Sequence, residues 1–196
     1  MKEQLSIYLP QQAIDDVIDL LSIHPVLLKI VNKRSTKHGD FRNSTKGFQI
    51  TINNDLNEYQ FLLTLIHEIA HLVTYKKYKR IKPHGKEWKK TFQHLMLPFL
   101  NPEVFPPELL PHLAYYLKNP KASTSSDVHL TFALKQFDKE KSGKSFIFEL
   151  QQGSIFTFNG KSYKKGIKRR TRIECLELKS NRTYLFNQNA EVELIK

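Results

Sequence analysis

The sequence predicts an α+β protein whose helix-rich first part carries a small antiparallel sheet and whose second part is rich in β-structure. Apolar residues recur at helical spacing over 10–23 and from about Leu56 to Tyr78. The alternating apolar residues of GFQITIN, at 47–53, are typical of a half-buried strand. After the small polar residues 119–127, the pattern changes to short strands separated by turn residues. The predicted organisation is a first domain over 1–118, a linker over 119–127 and a β-rich basic module over 128–196.

The elements of the first domain follow from apolar periodicity and from residues that start or stop a helix. His24-Pro25 ends the first helix, and the apolar run VLLKIV after it predicts a strand. Asp55-x-x-Glu58 resembles a capping box and begins the long helix. The predicted elements are, in order, a helix over 10–23, strands over 26–31 and 47–53 that pair antiparallel, and helices over about 56–78, 85–99 and 108–117.

The second part reads as a β-rich module held together by an aromatic core. Four short runs predict strands, at 146–150, 154–160, 172–178 and 183–187. We expect the core to be supplied by five aromatic residues, Phe146, Phe148, Phe156, Phe158 and Tyr184. Cys175 is the single cysteine of the chain, so an intramolecular disulfide and a cysteine-based zinc site are both excluded.

Charge and hydropathy limit the class of protein. The apolar fraction of 40% is sufficient for a packed core, which argues against a disordered chain. The net charge of +12 favours a polyanionic partner, most often nucleic acid, although a solvated basic face is the alternative. No apolar run reaches the ~18 residues of a membrane span, and the first ten residues do not form a secretion signal. We expect a cytoplasmic monomer, in possible association with the nucleoid.

The long helix carries a metal-binding pattern, His67-Glu68-Ile69-Ala70-His71. Two histidines four positions apart lie one turn apart on the same helix face, so both imidazoles can reach one zinc ion. Glu68 projects beside the ion and can act as a general base toward the attacking water. The alternative is a core helix that only happens to carry two histidines. Three ionisable groups buried without partners would be costly, which favours the metal site.

A third ligand distinguishes the classes of protein that share this pattern. The extended metzincin motif would need a glycine and a histidine where this chain has Thr74 and Lys77, so that class is excluded. His84 is the better candidate, because Pro83 stiffens the turn before it and Gly85 permits a close backbone approach. Two alternatives remain: Glu87 could be the ligand, and His84 could be a surface histidine that caps a helix.

Three segments in this order resemble the SprT-like metallopeptidases, which include the Spartan proteases. They are the HEIAH pattern, His84 with Gly85-Lys86-Glu87-Trp88, and the upstream STKHGDF with the strand GFQITIN, and together they cover about residues 8–118. The resemblance implies a zincin-like α+β domain with ligands His67, His71 and His84 and catalytic Glu68. It also implies substrates that are bound or crosslinked to DNA and that are held as an extended strand.

The second part departs from the family pattern. Many members carry a four-ligand zinc ribbon after the peptidase domain, whereas this region has only Cys175. We therefore predict a module that resembles a zinc ribbon without its cysteines, and one zinc ion per chain.

Two basic clusters favour sequence-independent DNA contact. The first surrounds His84 and comprises Lys76, Lys77, Lys79, Arg80, Lys82, Lys86, Lys89 and Lys90. The second, which we assign as the nucleic-acid-binding residues, comprises Lys161, Lys164, Lys165, Lys168, Arg169, Arg170 and Arg172. A solvated β-turn is the alternative for the second cluster. Tyr163 and Trp88 are candidate stacking residues, with a core position as the alternative for Trp88.

These observations predict a zinc metalloendopeptidase that cleaves DNA-associated proteins. Two other functions fit the same residues: a DNA-binding protein with a mainly structural metal site, and a cytoplasmic metallopeptidase unrelated to DNA. No residue that would stabilise the oxyanion can be assigned from the sequence.

Overall fold

The computed structural model describes residues 2–78, 82–139 and 143–195, and it divides the chain into two units, Met1–Asp138 and Lys139–Lys196. The first unit contains, in order, α1 (Lys2–Leu5), a 3-10 turn (Gln11–Ala13), α2 (Ile14–Ile23), β1 (Leu27–Val31), β2 (Gly39–Ser44), β3 (Gly47–Asn53), α3 (Glu58–Lys77), α4 (Lys86–Met96), a 3-10 turn (Leu97–Phe99), α5 (Leu110–Lys118), a 3-10 turn (Thr124–Ser126) and α6 (Val128–Lys135). The α+β class is confirmed.

The sheet of the first unit is mixed, and the prediction of an antiparallel sheet is wrong for one of its two strand pairs. The strand order is β1-β3-β2. β1 runs parallel to β3, with Ile30 opposite Ile52, and β2 runs antiparallel to β3. The reason is that the polar stretch before Gly47 contains the additional strand β2. The chain therefore reverses twice between β1 and β3, which leaves those two strands parallel.

The long helix α3 is the centre of the first unit's core. Most of its residues from Phe61 to Leu72 are buried, and the sheet packs against it through Ile50 and Ile52. The helix begins at Glu58, where the sequence suggested Leu56. Its N-cap is Asn57, whose side chain accepts a hydrogen bond from the Gln60 N–H, rather than Asp55. The amide oxygen of Asn57, directly before the first helical residue, satisfies a first-turn N–H as the predicted carboxylate of Asp55 would have done.

The residues after α5 belong to the first unit, which differs from the predicted linker over 119–127 and module start at 128. Asp127 caps α6 by accepting from the Leu130 N–H at 3.1 Å. Leu130 and Leu134 are buried in the core that α3 centres on. Those two apolar residues, four apart, fix α6 there, and the division between units falls after Asp138. None of the described helices is long and apolar enough to cross a membrane.

The second unit is β-rich, as predicted, and contains two strands that the sequence analysis missed. Its elements are β4 (Ser145–Phe146), β5 (Ile155–Phe158), β6 (Lys161–Lys168), β7 (Arg172–Glu177), β8 (Thr183–Asn187) and β9 (Glu191–Leu194). They form a six-stranded sheet in the order β4-β9-β5-β6-β7-β8. The two missed strands are β6 and β9, and the predicted strand at 146–150 shortens to β4.

The core of this unit differs in part from the predicted aromatic set. Phe156 is fully buried, and Phe148 and Phe158 pack at the edge of the core, but Tyr184 is 37% exposed. Buried residues of β6, β7 and β8 replace it, namely Tyr163, Ile173, Cys175 and Phe186. Cys175 lies in this core as a free thiol.

Candidate metal centre

Helix α3 presents His67, Glu68 and His71 on its middle turns, at the surface of the core. His67 and Glu68 are each only 7% exposed to solvent, and His71 is half-buried. The four-residue spacing places the two imidazoles one turn apart on one face. The apolar residues around them keep the helix fixed, so that both rings are held without support from a flexible loop.

The turn that follows α3 brings His84 back to the same face. The Gly85 N–H donates to the Lys82 carbonyl at 2.9 Å, which closes the turn. His84 has a φ of 57°, a left-handed conformation that a non-glycine residue adopts at a cost. A Cβ atom at Gly85 would lie 2.9 Å from the Lys82 carbonyl oxygen, so only glycine fits there without a shift. The conformation of this turn therefore determines the position of the His84 side chain.

The Nε2 atoms of the three histidines face one another. The distances are 3.2 Å between His67 and His84, 3.2 Å between His71 and His67, and 2.9 Å between His71 and His84. A neutral imidazole Nε2 either donates or accepts, so three such atoms cannot all be paired with each other. Ligands on a tetrahedral zinc ion are about 3.3 Å apart, given Zn–N bonds of about 2.0–2.1 Å.

The electrostatics of the three rings also suit a metal ion. Burial lowers the pKa of His67 to about 2, with a further contribution from His71 and His84. Burial and the neighbouring His84 lower the pKa of His71 to about 4, and burial lowers that of His84. Neutral imidazoles are the form that binds metal. Among the described His, Cys, Asp and Glu residues, His67, His71 and His84 form the one group of three or more that is arranged to hold a metal ion. The three side chains therefore fit a bound metal ion.

Trp88 packs behind all three histidines. Its ring centroid lies 4.5 Å from that of His67, 5.2 Å from His71 and 4.7 Å from His84. The side chain is fully buried and stacks on Phe92. This position confirms the core alternative for Trp88 and removes it as a base-stacking residue. Because Trp88 is the single tryptophan of the chain, its fluorescence can report on the site.

Glu68 lies next to the histidines and against strand β2. Its carboxylate accepts a hydrogen bond from the Phe41 backbone N–H. Burial, with the nearby charge of Asp40, raises the pKa of Glu68 to about 8. Gly39 makes this contact possible, because a Cβ atom there would lie 2.8 Å from Glu68 Oε1 and 2.7 Å from Thr64 Cγ2. Glu68 therefore lies in a site where a proton can be held near neutral pH.

Hydrogen bonds of Arg34 and Asn53 fix the loop that leads into Gly39, the first residue of β2, and the sequence did not predict this role. Arg34 Nε donates to Asn53 Oδ1 at 2.8 Å, and its Nη1 donates to Thr51 Oγ1 at 3.0 Å. Asn53 in turn donates from its side chain to the Lys37 carbonyl at 2.9 Å and from its backbone to the His38 carbonyl at 2.9 Å. The buried Asn53 at the end of a predicted strand was the available signal.

The structure distinguishes His84 from the two alternatives for the third ligand. Glu87 lies on the first turn of α4, but it is not a member of the group that can hold a metal. His84 is half-buried and faces His67 and His71, so it is not a surface cap. In the first basic cluster, Lys79 and Arg80 lie outside the described residues.

The second basic cluster divides into two groups. Lys161 pairs with Glu177 at 3.0 Å, Arg169 pairs with Glu174 at 2.7 Å, and Lys165 donates to the Leu150 and Phe148 carbonyls. Tyr163 is buried, which removes it as a stacking residue. Four members remain, Lys164, Lys168, Arg170 and Arg172. All four are exposed, and among the described residues no ion pair is recorded for them.

Comparison with known proteins gives the family. Residues 10–105 match the model of the SprT-like family. Protein SprT of Yersinia enterocolitica is 36% identical over 55 residues, which are 26% of this chain and 32% of that protein. Protein SprT of Vibrio parahaemolyticus is 51% identical over 45 residues, 21% of this chain and 27% of that protein.

These matches are short relative to the proteins concerned. A third relative, Protein SprT of Pasteurella multocida, is 47% identical over 38 residues, which cover 19% of this chain and 22% of that protein. Each match thus spans about a third or less of the curated relative's length. No solved structure matches the chain. The chain therefore carries a SprT-like domain over residues 10–105.

Proposed function

We propose that the first unit is a zincin-like zinc metalloendopeptidase with His67, His71 and His84 as the metal ligands. The convergence of three Nε2 atoms beside a buried carboxylate carries this proposal. Nitrogen ligands and a tetrahedral arrangement suit zinc. Three protein ligands leave the fourth position open, as in catalytic zinc sites, whereas structural sites use four protein ligands. The open position favours a peptidase over a structural metal site.

Zinc, when bound, supplies a Lewis acid that lowers the pKa of water and polarises the scissile carbonyl. Glu68 is the general base: it accepts the proton of the attacking water and passes a proton to the leaving amine. The pKa of about 8 is that of the metal-free site, and the charge of a bound zinc ion would lower it and favour the ionised form that acts as a base. Phe41 and Gly39 hold the carboxylate in place from the side of β2.

Strand β2 is the proposed docking strand for the substrate. It lies at one edge of the sheet, next to Glu68. An extended peptide that adds to this edge would pair with the backbone of β2 and lie along the surface of α3 beside the metal. Main-chain pairing would hold substrates of varied sequence in one orientation.

Glu68→Gln tests the peptidase function. The variant keeps the carbonyl oxygen that accepts from Phe41 but cannot take a proton, so zinc binding should persist and cleavage should cease. The substrate is a DNA-crosslinked protein, and cleavage is read on a gel. Glu87→Gln is the matched control, because it makes the same change outside the ligand group and should retain both properties. Equal cleavage by wild type and Glu68→Gln would refute the proposal.

We further propose that the exposed members of the second basic cluster contact DNA, which directs the peptidase to DNA-associated proteins. Lys168, Arg170 and Arg172 lie together at the turn between β6 and β7. The ion-paired Lys161 and Arg169 contribute less, since their charges are already neutralised. Phosphate contact of this kind is independent of sequence and sensitive to salt.

A pair of charge-reversed variants tests DNA contact. Arg170→Glu with Arg172→Glu should weaken binding to duplex and single-stranded DNA, and should lower the slope of log K against log salt by roughly 2. Lys179→Glu with Arg182→Glu is the control, because it makes the same charge change at the other end of β7. Identical behaviour of the two double variants would favour net charge alone. Unchanged cleavage of crosslinked protein by both would favour a peptidase unrelated to DNA.

A further inference from the structure

An aromatic cluster lies on the helix face that carries two of the proposed metal ligands. Tyr75 follows His71 by four positions, so it lies one turn beyond His71 on the face of α3 that His67 and His71 share. The rings of Phe41 on β2 and Phe48 on β3 pack against it, with centroids 6.0 Å and 5.9 Å from that of Tyr75. The centroids of Phe41 and Phe48 are 6.1 Å apart. We call Phe41, Phe48 and Tyr75 the aromatic patch.

Tyr75 is fixed in position although about half of it is exposed. Its hydroxyl oxygen accepts a hydrogen bond from the Asn43 side-chain amide at 2.6 Å. The rings of Phe41 and Phe48 restrict the side chain further, and Tyr75 is still 49% exposed. An exposed ring that is already ordered can bind an apolar partner with little loss of its own side-chain entropy.

The aromatic patch is continuous with the proposed docking strand. The Phe41 backbone N–H donates to the Glu68 carboxylate, and the Phe41 ring packs on Tyr75. Asn43, two positions further along β2, lies on the same face of the strand as Phe41 and donates to Tyr75. A peptide that pairs with β2 beside Glu68 would therefore also run beside the aromatic patch.

Helix geometry gives the distance between the base and the patch. Tyr75 is seven positions after Glu68, and 1.5 Å per residue places it roughly 10 Å further along the helix axis. An extended peptide advances about 3.3 Å per residue. The substrate side chain at the aromatic patch is therefore about three residues from the scissile bond. The direction in which the peptide runs along β2 decides on which side of that bond it lies.

The aromatic patch suits a large apolar side chain, above all an aromatic one. An aromatic pair contributes up to about tenfold in affinity beyond the area that it buries. Lys76 Nζ lies 5.1 Å from the Phe48 ring centroid, and this cation disfavours a basic side chain. Lys76 would attract an acidic side chain, but an exposed ion pair typically contributes less than about fivefold. Apolar contact therefore determines the preference.

A nucleobase is the other ligand that an exposed ring beside a lysine can bind. Proteins that bind single strands stack successive bases on ring faces along a positively charged groove. Here the rings of Phe41 and Phe48 meet Tyr75 at 58° and 71°, so these three rings do not form a parallel stacking platform. The patch also lies on the face of α3 that carries His67 and His71. Both observations favour a peptide.

We propose that the aromatic patch is a substrate subsite, which binds an aromatic side chain about three residues from the scissile bond. The inference rests on the proposed peptidase function and on the docking of the substrate along β2. It adds a sequence preference to main-chain pairing, which by itself accepts substrates of varied sequence.

The binding experiment uses the zinc-loaded Glu68→Gln protein, which does not consume its ligand. The probe is a labelled peptide of serine, glycine and alanine with one central phenylalanine, and the reference peptide has alanine there. The probe should bind about tenfold more tightly in fluorescence anisotropy. Adding Tyr75→Ala should abolish this preference, whereas Tyr75→Phe, which keeps the ring, should retain it. Tyr115→Ala, the same change at an exposed tyrosine on α5, should also retain it.

Two binding results would overturn the subsite. One is equal affinity for the two peptides, and the other is a preference that survives Tyr75→Ala. Oligothymidylate is titrated in parallel: if Tyr75→Ala weakens its binding and no peptide preference is seen, the patch contacts nucleic acid and the proposal is wrong. Zinc content and the melting temperature of Tyr75→Ala establish that the variant is folded.

Cleavage by the wild-type protein separates the subsite from the peptidase function. The probe is incubated with the zinc-loaded wild type, and the products are identified by mass spectrometry. Cleavage about three residues from the phenylalanine supports the subsite, and cleavage at a bond next to the phenylalanine contradicts it. If the probe is not cleaved while the binding preference stands, the peptidase function fails and the patch remains a peptide-binding surface.

Discussion

Replacing Gly39 with alanine tests whether the contact between β2 and Glu68 positions the base. The added Cβ atom would lie 2.8 Å from Glu68 Oε1 and 2.9 Å from Glu68 Cγ. Favourable carbon contacts lie near about 3.5 Å, so Glu68 must move by roughly 0.7 Å or β2 must lift. A displacement of about 1 Å can cost on the order of 100-fold in rate. We expect kcat/KM to fall roughly 30- to 100-fold, which corresponds to about 2–2.7 kcal/mol.

The assay separates the base from the metal. Cleavage is measured on the zinc-loaded proteins, and zinc affinity is measured by titration of Trp88 fluorescence. Zinc affinity should stay within about twofold of wild type, because Gly39 approaches Glu68 and not the ring nitrogens. The double variant Gly39→Ala with Thr64→Ala removes the 2.7 Å contact with Thr64 Cγ2 but not that with Glu68. It should regain stability without regaining activity. Wild-type activity in Gly39→Ala would refute this account of the contact.

Three further predictions concern the ligand, the base and the helix cap. His84→Asn should keep the fold, because asparagine tolerates a positive φ. It should weaken zinc binding by more than the ~10- to 100-fold that is lost when a residue behind a metal ligand is replaced. Calorimetric titration with zinc measures the affinity. In the metal-free protein, the Glu68 carboxyl group is protonated between pH 4.5 and about 8 in the folded state but not in the unfolded state. Raising the pH from 6.5 to 8.5 should therefore lower the stability of the wild type relative to that of Glu68→Gln. Melting temperatures of the two proteins that change in parallel over this pH range would contradict the prediction. Asn57→Ala should cost about 2 kcal/mol in denaturant unfolding, because Asn57 caps α3 and also donates to the Leu134 carbonyl.

The local parts of the site could be predicted from the sequence. His67, Glu68 and His71 lie on one turn of a helix, so helical geometry alone relates them. His84 required one more step, the reading of a Pro-His-Gly turn, and the structure places its ring nitrogen with the other two. Its positive φ was not predicted, because the backbone conformation depends on what the side chain must reach.

The non-local parts could not be predicted. Gly39 and Glu68 are 29 positions apart, and their contact depends on β2, which is too polar to show a strand pattern. Residues 119–127 have the composition of a linker, yet hydrogen bonds of Tyr116, Lys121 and Asp127 hold them in one conformation. The basic cluster is likewise divided by its partners Glu177 and Glu174, which the pairing of β6 with β7 brings within reach of Lys161 and Arg169.

Zinc analysis of the purified protein with a parallel Trp88 titration tests the three-histidine site most directly. Trp88 lies within 5.2 Å, between ring centroids, of all three histidines, so zinc binding should change its emission. We predict one zinc ion per chain in the wild type, a fluorescence change that saturates at one equivalent, and strongly reduced zinc content in His84→Asn. Two zinc ions per chain, or the same zinc content and titration in His84→Asn, would contradict the proposed site.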